Sequence, residues 1–173
     1  SYQGTPALRQ TIATYYQDAF DVALNPENEV LPLMGSKEGI MHISMAFLNE
    51  GDGVMIPNPG YPTYESVTKL VGARAVPYTL SAATNWLPNL DELAKQDLTD
   101  VKLMWVNYPH MPTGAIADEV FLSELVAFAK SHDLLIINDN PYANILNDSP
   151  MSLLEVAGAK GVALELQSLS KAY

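Results

Sequence analysis

Leu134-Leu135-Ile136-Ile137-Asn138-Asp139-Asn140-Pro141-Tyr142 carries four apolar residues without a break into a polar turn. A strand with one wet face would alternate apolar and polar residues. A continuous run is what a strand covered on both faces requires, and such strands belong to parallel sheets. The same pattern recurs on either side of this stretch. Upstream, Asp118 opens a helical segment through Lys130, and Val101 to Val106 reads as a further strand. Ala73 to Leu80, Val54-Met55-Ile56 and Val30 to Met34 come before it, and Val162 to Leu166 follows, so six strands are expected. Helices are expected at Leu8 to Leu24, ended by Asn25-Pro26, from Ile40 to Leu48, over Thr63 to Val71, and near Leu90 to Lys95. Strands and helices that alternate in this way predict a three-layer α-β-α domain of the α/β class, with a mostly parallel sheet and right-handed crossovers. No internal repeat or linker divides it.

The chain has 173 residues, 48% of them hydrophobic and 17% charged, which suits one packed domain. Nine basic residues against twenty acidic ones leave a formal charge of −11, which would repel phosphate backbones and anionic lipid surfaces, so no nucleic acid and no membrane partner is expected. The absence of Cys removes disulfides, thiolate metal sites and cysteine nucleophiles together. His42, His110 and His132 lack metal-ligand spacing, so no metal is expected; His110 reads as a loop residue. No secretory segment opens the chain and no apolar run nears the roughly 20 residues of a membrane span, which predicts a cytoplasmic protein.

Ligands of an open parallel sheet bind beyond the carboxyl ends of its strands. Gly35-Ser36-Lys37-Glu38-Gly39, after the first expected strand, is either an ordinary helix cap or a cradle of backbone N–H groups for an anion. Tyr61, in Pro57-Asn58-Pro59-Gly60-Tyr61, either lies against a flat ligand or packs within its own loop. Asp139 stands at the mouth of the sheet, where it either caps a turn or faces a positive group, since ionisation there is costly without one. Tyr142 could aim a phenol at the same crevice or simply pack. Lys171, after the sixth strand and behind Ser168 and Ser170, is either a solvated lysine or an amine partly desolvated for Schiff-base chemistry. An anion cradle, a carboxylate, a phenol, a flat aromatic and an amine at one sheet edge match the phosphate, ring nitrogen, phenolic oxygen, ring and aldehyde of pyridoxal phosphate.

In this order, Tyr2-Gln3-Gly4 with Leu8-Arg9, Gly35-Ser36-Lys37-Glu38-Gly39, Pro57-Asn58-Pro59-Gly60-Tyr61, Pro112-Thr113-Gly114, Asp139-Asn140-Pro141-Tyr142 and Ser168-Leu169-Ser170-Lys171 span essentially the whole chain. The set resembles the class I/II aminotransferases of pyridoxal phosphate fold type I, with aspartate and LL-diaminopimelate aminotransferases the most similar members. The resemblance implies that Lys171 forms the internal aldimine and then moves the proton between the substrate α-carbon and the cofactor C4′. Asp139 would pair with the pyridinium nitrogen and Tyr142 with the phenolic oxygen. Gly35, Ser36, Lys37 and Ser168 would hold the phosphate, and Tyr61 would stack on the ring. Tyr2 matches a tyrosine that reaches the cofactor of the neighbouring subunit, which implies a homodimer acting on an amino acid and a 2-oxo acid.

The family commonly reads Asn-Pro-Thr-Gly where Met111 stands here, and methionine has no N–H to donate. Asn107, another group, or Tyr142 alone would have to serve the phenolic oxygen. Residues 1–173 would form a partial large, cofactor-binding domain without the N-terminal arm, the last strand and the C-terminal small domain, and would not transaminate alone. A lyase of the same fold, such as a carbon–sulfur lyase, or a non-catalytic binding or regulatory domain, are the competing readings. The chain has no Gly-x-Gly-x-x-Gly, no P-loop and no Gly-x-Ser-x-Gly, which argues against nucleotide-binding domains and serine hydrolases.

Overall fold

The computed structural model describes residues 3–145 and 147–172. Tyr2 lies outside them. Helix α1 (Pro6–Phe20) starts where Thr5 accepts a hydrogen bond from the Leu8 N–H at 3.2 Å and Pro6 presets the first turn. It stops four residues earlier than its apolar spacing predicts. Asp21 takes a left-handed conformation, φ 51°, and its N–H closes on the carbonyls of Tyr16 and Gln17, so the helix ends at its own cap rather than at Pro26. Helix α2 (Ser36–Phe47) leads to β1 (Gly53–Asn58), α3 (Pro62–Leu70), β2 (Arg74–Thr79), the short α4 (Leu90–Leu93) and β3 (Val101–Val106). Helix α5 (Glu119–His132), β4 (Leu135–Asn140) and β5 (Ala163–Gln167) complete the order. Asp118 caps α5 as its position predicts, its carboxylate accepting from the Phe121 N–H at 2.8 Å.

The sheet has five strands in the order β2-β1-β3-β4-β5, every neighbouring pair parallel. Successive side chains of each strand enter opposite layers. Val54, Ile56, Leu103, Trp105, Ile137 and Leu166 meet Ile40 of α2 and Tyr64 of α3, while Met55, Met104, Val106, Ile136 and Ala163 meet the Phe121, Leu122 and Leu125 face of α5. Both layers are apolar, which is why Val54 to Ile56, Leu103 to Val106 and Leu135 to Ile137 read as unbroken apolar runs. Helix α1 adds a smaller cluster of Tyr16, Phe20 and Val22 with Ala143. The three-layer α/β class therefore holds.

One expectation is corrected. Val30 to Met34 forms no strand: Pro32 has no N–H for a ladder, and Leu33 instead packs onto the layer of α2 and α3. Of the two readings of Lys171 the structure shows the exposed one: β5 ends at Gln167, and past three intervening residues the lysine stands on an exposed turn. Among the described residues, no helix is long and apolar enough to cross a membrane.

The chain leaves β1 outward to β2, then returns to place β3 on the other side of β1. That reversal opens a crevice between the loops after β1 and β3. The loop after β1 folds so tightly that a Cβ on Gly60 would overlap the Pro57 carbonyl oxygen and stand 2.7 Å from Pro57 Cγ. Backbone cannot yield as a flexible side chain would. Gly60→Ala is expected to displace this loop and cost about 1 to 3 kcal/mol, read as a lower denaturation midpoint.

Candidate active site

The carboxyl ends of β1, β3, β4 and β5 surround a cavity of about 380 Å³. Gly35, Ser36, Lys37, Tyr61, Asp139, Tyr142, Ser168 and Lys171 all line it, so the structure brings every described candidate to one place. Met34, Glu38, Tyr64, Asn107, Met111, Pro141 and Ser170 complete the wall.

Asp139 is the deepest charged group, 5% exposed on β4. One carboxylate oxygen, Oδ2, accepts a hydrogen bond from the Tyr64 hydroxyl at 2.8 Å; the other, Oδ1, is buried and has no partner among the described residues. Burial lifts its pKa from 3.8 to about 6, with the Tyr64 hydrogen bond pulling the other way. Tyr64 is itself fixed: its ring stacks on Trp105, centroids 5.1 Å apart and planes 8° from parallel, and meets Tyr61 edge-on at 5.6 Å. Burial and the Asp139 charge hold the Tyr64 phenol far above its ordinary value, so it remains a donor. Sequence reading missed Tyr64, although its place three residues after Tyr61 on a helix puts the two rings on neighbouring faces.

Gly35 precedes α2 with φ 127° and no side-chain cap, and an added Cβ would meet nothing within 4 Å. A conformation closed to most residues thus leaves the positive end of a 12-residue helix open to the cavity. Glu38 folds back to accept from the Met34 N–H instead of capping forward. Lys37 Nζ lies 6.0 Å from the centre of the Tyr61 ring.

The loop 107–114 forms the remaining wall. Asn107 is buried and spans it, its amide nitrogen donating to the Asp139 carbonyl and its oxygen accepting from the Met111 N–H at 2.8 Å. Its carboxamide is therefore engaged in holding the loop while Met111 faces the cavity. His110 lies in this loop, as its sequence position suggests, and it is buried there and ties two loops together. Its Nε2 donates to the Pro59 carbonyl at 3.2 Å, and its Nδ1 accepts from the Thr113 hydroxyl at 2.7 Å. That tautomer follows from the partners, since a carbonyl only accepts and Thr113 Oγ1 already accepts from the Ala115 N–H.

Burial lowers the His110 pKa, opposed by the Pro59 carbonyl. A histidine depressed in the fold stays neutral while the unfolded chain, near 6.5, takes up a proton first, so its contribution is present above 6.5 and is lost as pH falls. The stability advantage of wild type over His110→Gln is expected to shrink between pH 7.5 and 5.5 in denaturation midpoints. A constant gap would exclude His110 as the source.

The family model described as "Aminotransferase class I and II" matches residues 1–173, the full length of the chain. The chain belongs to the class I and II aminotransferase family. Among aminotransferases of this family it is 46% identical over 173 residues to an LL-diaminopimelate aminotransferase of Dehalococcoides mccartyi, covering 99% of this chain and 45% of that protein. An LL-diaminopimelate aminotransferase of Aquifex aeolicus is 41% identical over 175 residues, again with 45% of its length covered. Apo-BacF from Bacillus subtilis superposes with a TM-score of 0.93 at 38% identity, over 98% of this chain and 46% of that one. An aminotransferase from Staphylococcus aureus gives 0.92 at 32% identity, over 100% and 46%. The chain thus spans somewhat under half the length of the aminotransferases it matches.

Proposed function

We propose that the protein transfers amino groups between an L-amino acid and a 2-oxo acid with pyridoxal 5′-phosphate as cofactor, and that these residues are a large part of its cofactor-binding domain. The observation that carries this reading is that Asp139, whose Oδ1 is buried with no partner among the described residues, lines one cavity with the exposed Lys171. A lone buried carboxylate oxygen is costly unless a cationic N–H reaches it, and a protonated ring nitrogen is such a group. The rest of the cavity fits the same molecule. Gly35, Ser36, Lys37 and Ser168 would take the phosphate at the start of α2, Tyr61 would lie against the ring, and Tyr142 would donate to the phenolic oxygen.

When bound, the cofactor supplies an aldehyde that condenses with amines and a ring that takes up the electron pair left at an amino acid α-carbon. Lys171 carries the amine that would hold the cofactor, and it would take and return the proton at the substrate α-carbon. Asp139 would hold a proton on the ring nitrogen, and the Tyr64 hydroxyl, donating to its Oδ2, would keep it aimed. The Met111 side chain has no N–H and the Asn107 carboxamide is engaged within the fold, so Tyr142 would serve the phenolic oxygen.

The curated relatives are named LL-diaminopimelate aminotransferases, which makes LL-diaminopimelate the first amino donor to try. On this reading the full-length protein acts in the cytoplasm as a homodimer, with Tyr2 serving the neighbouring copy. The test is a panel of amino donors on the full-length protein with cofactor and no acceptor. One equivalent of 2-oxo acid per site is expected, with turnover resuming on addition of a 2-oxo acid. Release of ammonia or sulfide without amino exchange would give the lyase reading instead.

A further inference from the structure

Glu165 lies on the face of the sheet opposite the cavity. It pairs in register with Asn138, whereas Asp139 pairs with Leu166, which enters the layer of Tyr64. Its two oxygens accept four hydrogen bonds. Tyr16 and Ser152 hydroxyls reach Oε1 at 3.0 and 2.8 Å, and the Asn138 amide and Leu153 N–H reach Oε2 at 2.9 and 3.0 Å. None of the four donors carries a charge. Burial pushes this carboxyl up and the four donors oppose it.

Asn138 is the donor that leads to the active site. Its Nδ2 faces Glu165, so its oxygen must face the other way, where it accepts from the Tyr108 N–H at 3.1 Å at the root of the loop 107–114. A carboxamide can flip, and a flipped one would turn its N–H₂ against the Tyr108 N–H, donor against donor. An acceptor-only carboxylate forbids the flip. The loop it holds carries Asn107 and Met111, both on the cavity wall.

We propose that Glu165 is a positioning residue of the active site, fixing the orientation of the Asn138 carboxamide and through it the loop 107–114. Gln at 165 would keep this link: its oxygen can serve Asn138 and Leu153, and its amide can donate to the Tyr16 and Ser152 hydroxyls, which also accept. Ala would not.

The test is hydrogen exchange on the full-length protein without cofactor, so it stands independently of the aminotransferase reading, on which only the kinetic arm rests. In Glu165→Ala the Tyr108 and Met111 amides should exchange about tenfold faster or more, with Val54 and Leu103 unchanged, and Glu165→Gln should stay within about threefold of wild type. Asn138→Leu cuts the link from the loop side and should speed the same two amides, which decides the matter if Glu165→Ala fails to fold. With cofactor, kcat should fall about tenfold or more in Glu165→Ala with KM little changed, and Glu165→Gln should restore it. Unchanged exchange at Tyr108 in either disruptive variant, a rise shared by Val54 and Leu103, or Gln behaving as Ala would overturn the proposal.

Discussion

Changing Lys171 to Ala in the full-length protein is expected to lower turnover by roughly 10⁴ to 10⁶. Two contributions are lost together. The amine is the group on the cavity wall that can both join an aldehyde carbon and carry a proton to and from a substrate carbon; Lys37, the other amine there, sits beside Tyr61 at the helix start. Arginine at 171 should not rescue, because its guanidinium stays charged and is no nucleophile. A readout independent of turnover is borohydride reduction of the loaded protein followed by peptide mass spectrometry. The cofactor mass should appear on the peptide containing Lys171 in wild type and on no peptide in Lys171→Ala. Label on Lys37 in wild type would refute the assignment.

Replacing Asp139 by Asn should separate stability from function in opposite directions. A carboxyl whose pKa is raised from 3.8 to about 6 contributes stability that is fully present below 3.8 and lost as pH rises through 6. At pH 7 the ionised fold is therefore strained by up to about 3 kcal/mol, and Asn, which keeps an oxygen for the Tyr64 hydroxyl, relieves it. The cofactor-free variant should unfold at a higher midpoint than wild type at pH 7, with the gain fading toward pH 4. The same change removes the anion that would hold a proton on the cofactor ring, so kcat/KM in the loaded enzyme should fall by roughly 10² to 10³. A less stable Asp139→Asn protein at pH 7 would show that the carboxylate is already satisfied in the fold, and the fit argument would fail with it.

The stability cost at Asp139 and the four neutral donors around Glu165 are two answers to one problem on adjacent strands. Glu165 is met by donors from three separate parts of the chain and is a structural anchor. Asp139 is met by one donor, and its other oxygen is buried with no partner among the described residues. Had both been saturated, neither would suggest a ligand. The difference in satisfaction, more than the carboxylate itself, marks the site.

What could be read from the residues alone was local or ordered along the chain. The continuous runs of β1, β3 and β4 are the direct imprint of a sheet covered on both faces, and the special residues fall after strands because a parallel sheet gathers its carboxyl ends at one edge. Pairings across long separations were not legible. Tyr64 and Asp139 stand 75 positions apart, Tyr16 and Glu165 149, and a hydroxyl or carboxylate in sequence carries no mark of the partner it will meet. His110 is in a loop as read, but its burial and the hydrogen bonds that tie two loops together were not legible; Val30 to Met34 looked like strand and has no ladder. Periodicity and order follow from covalent geometry, so the chain states them outright, whereas burial and hydrogen-bond satisfaction come into being only when distant segments exclude water from one another.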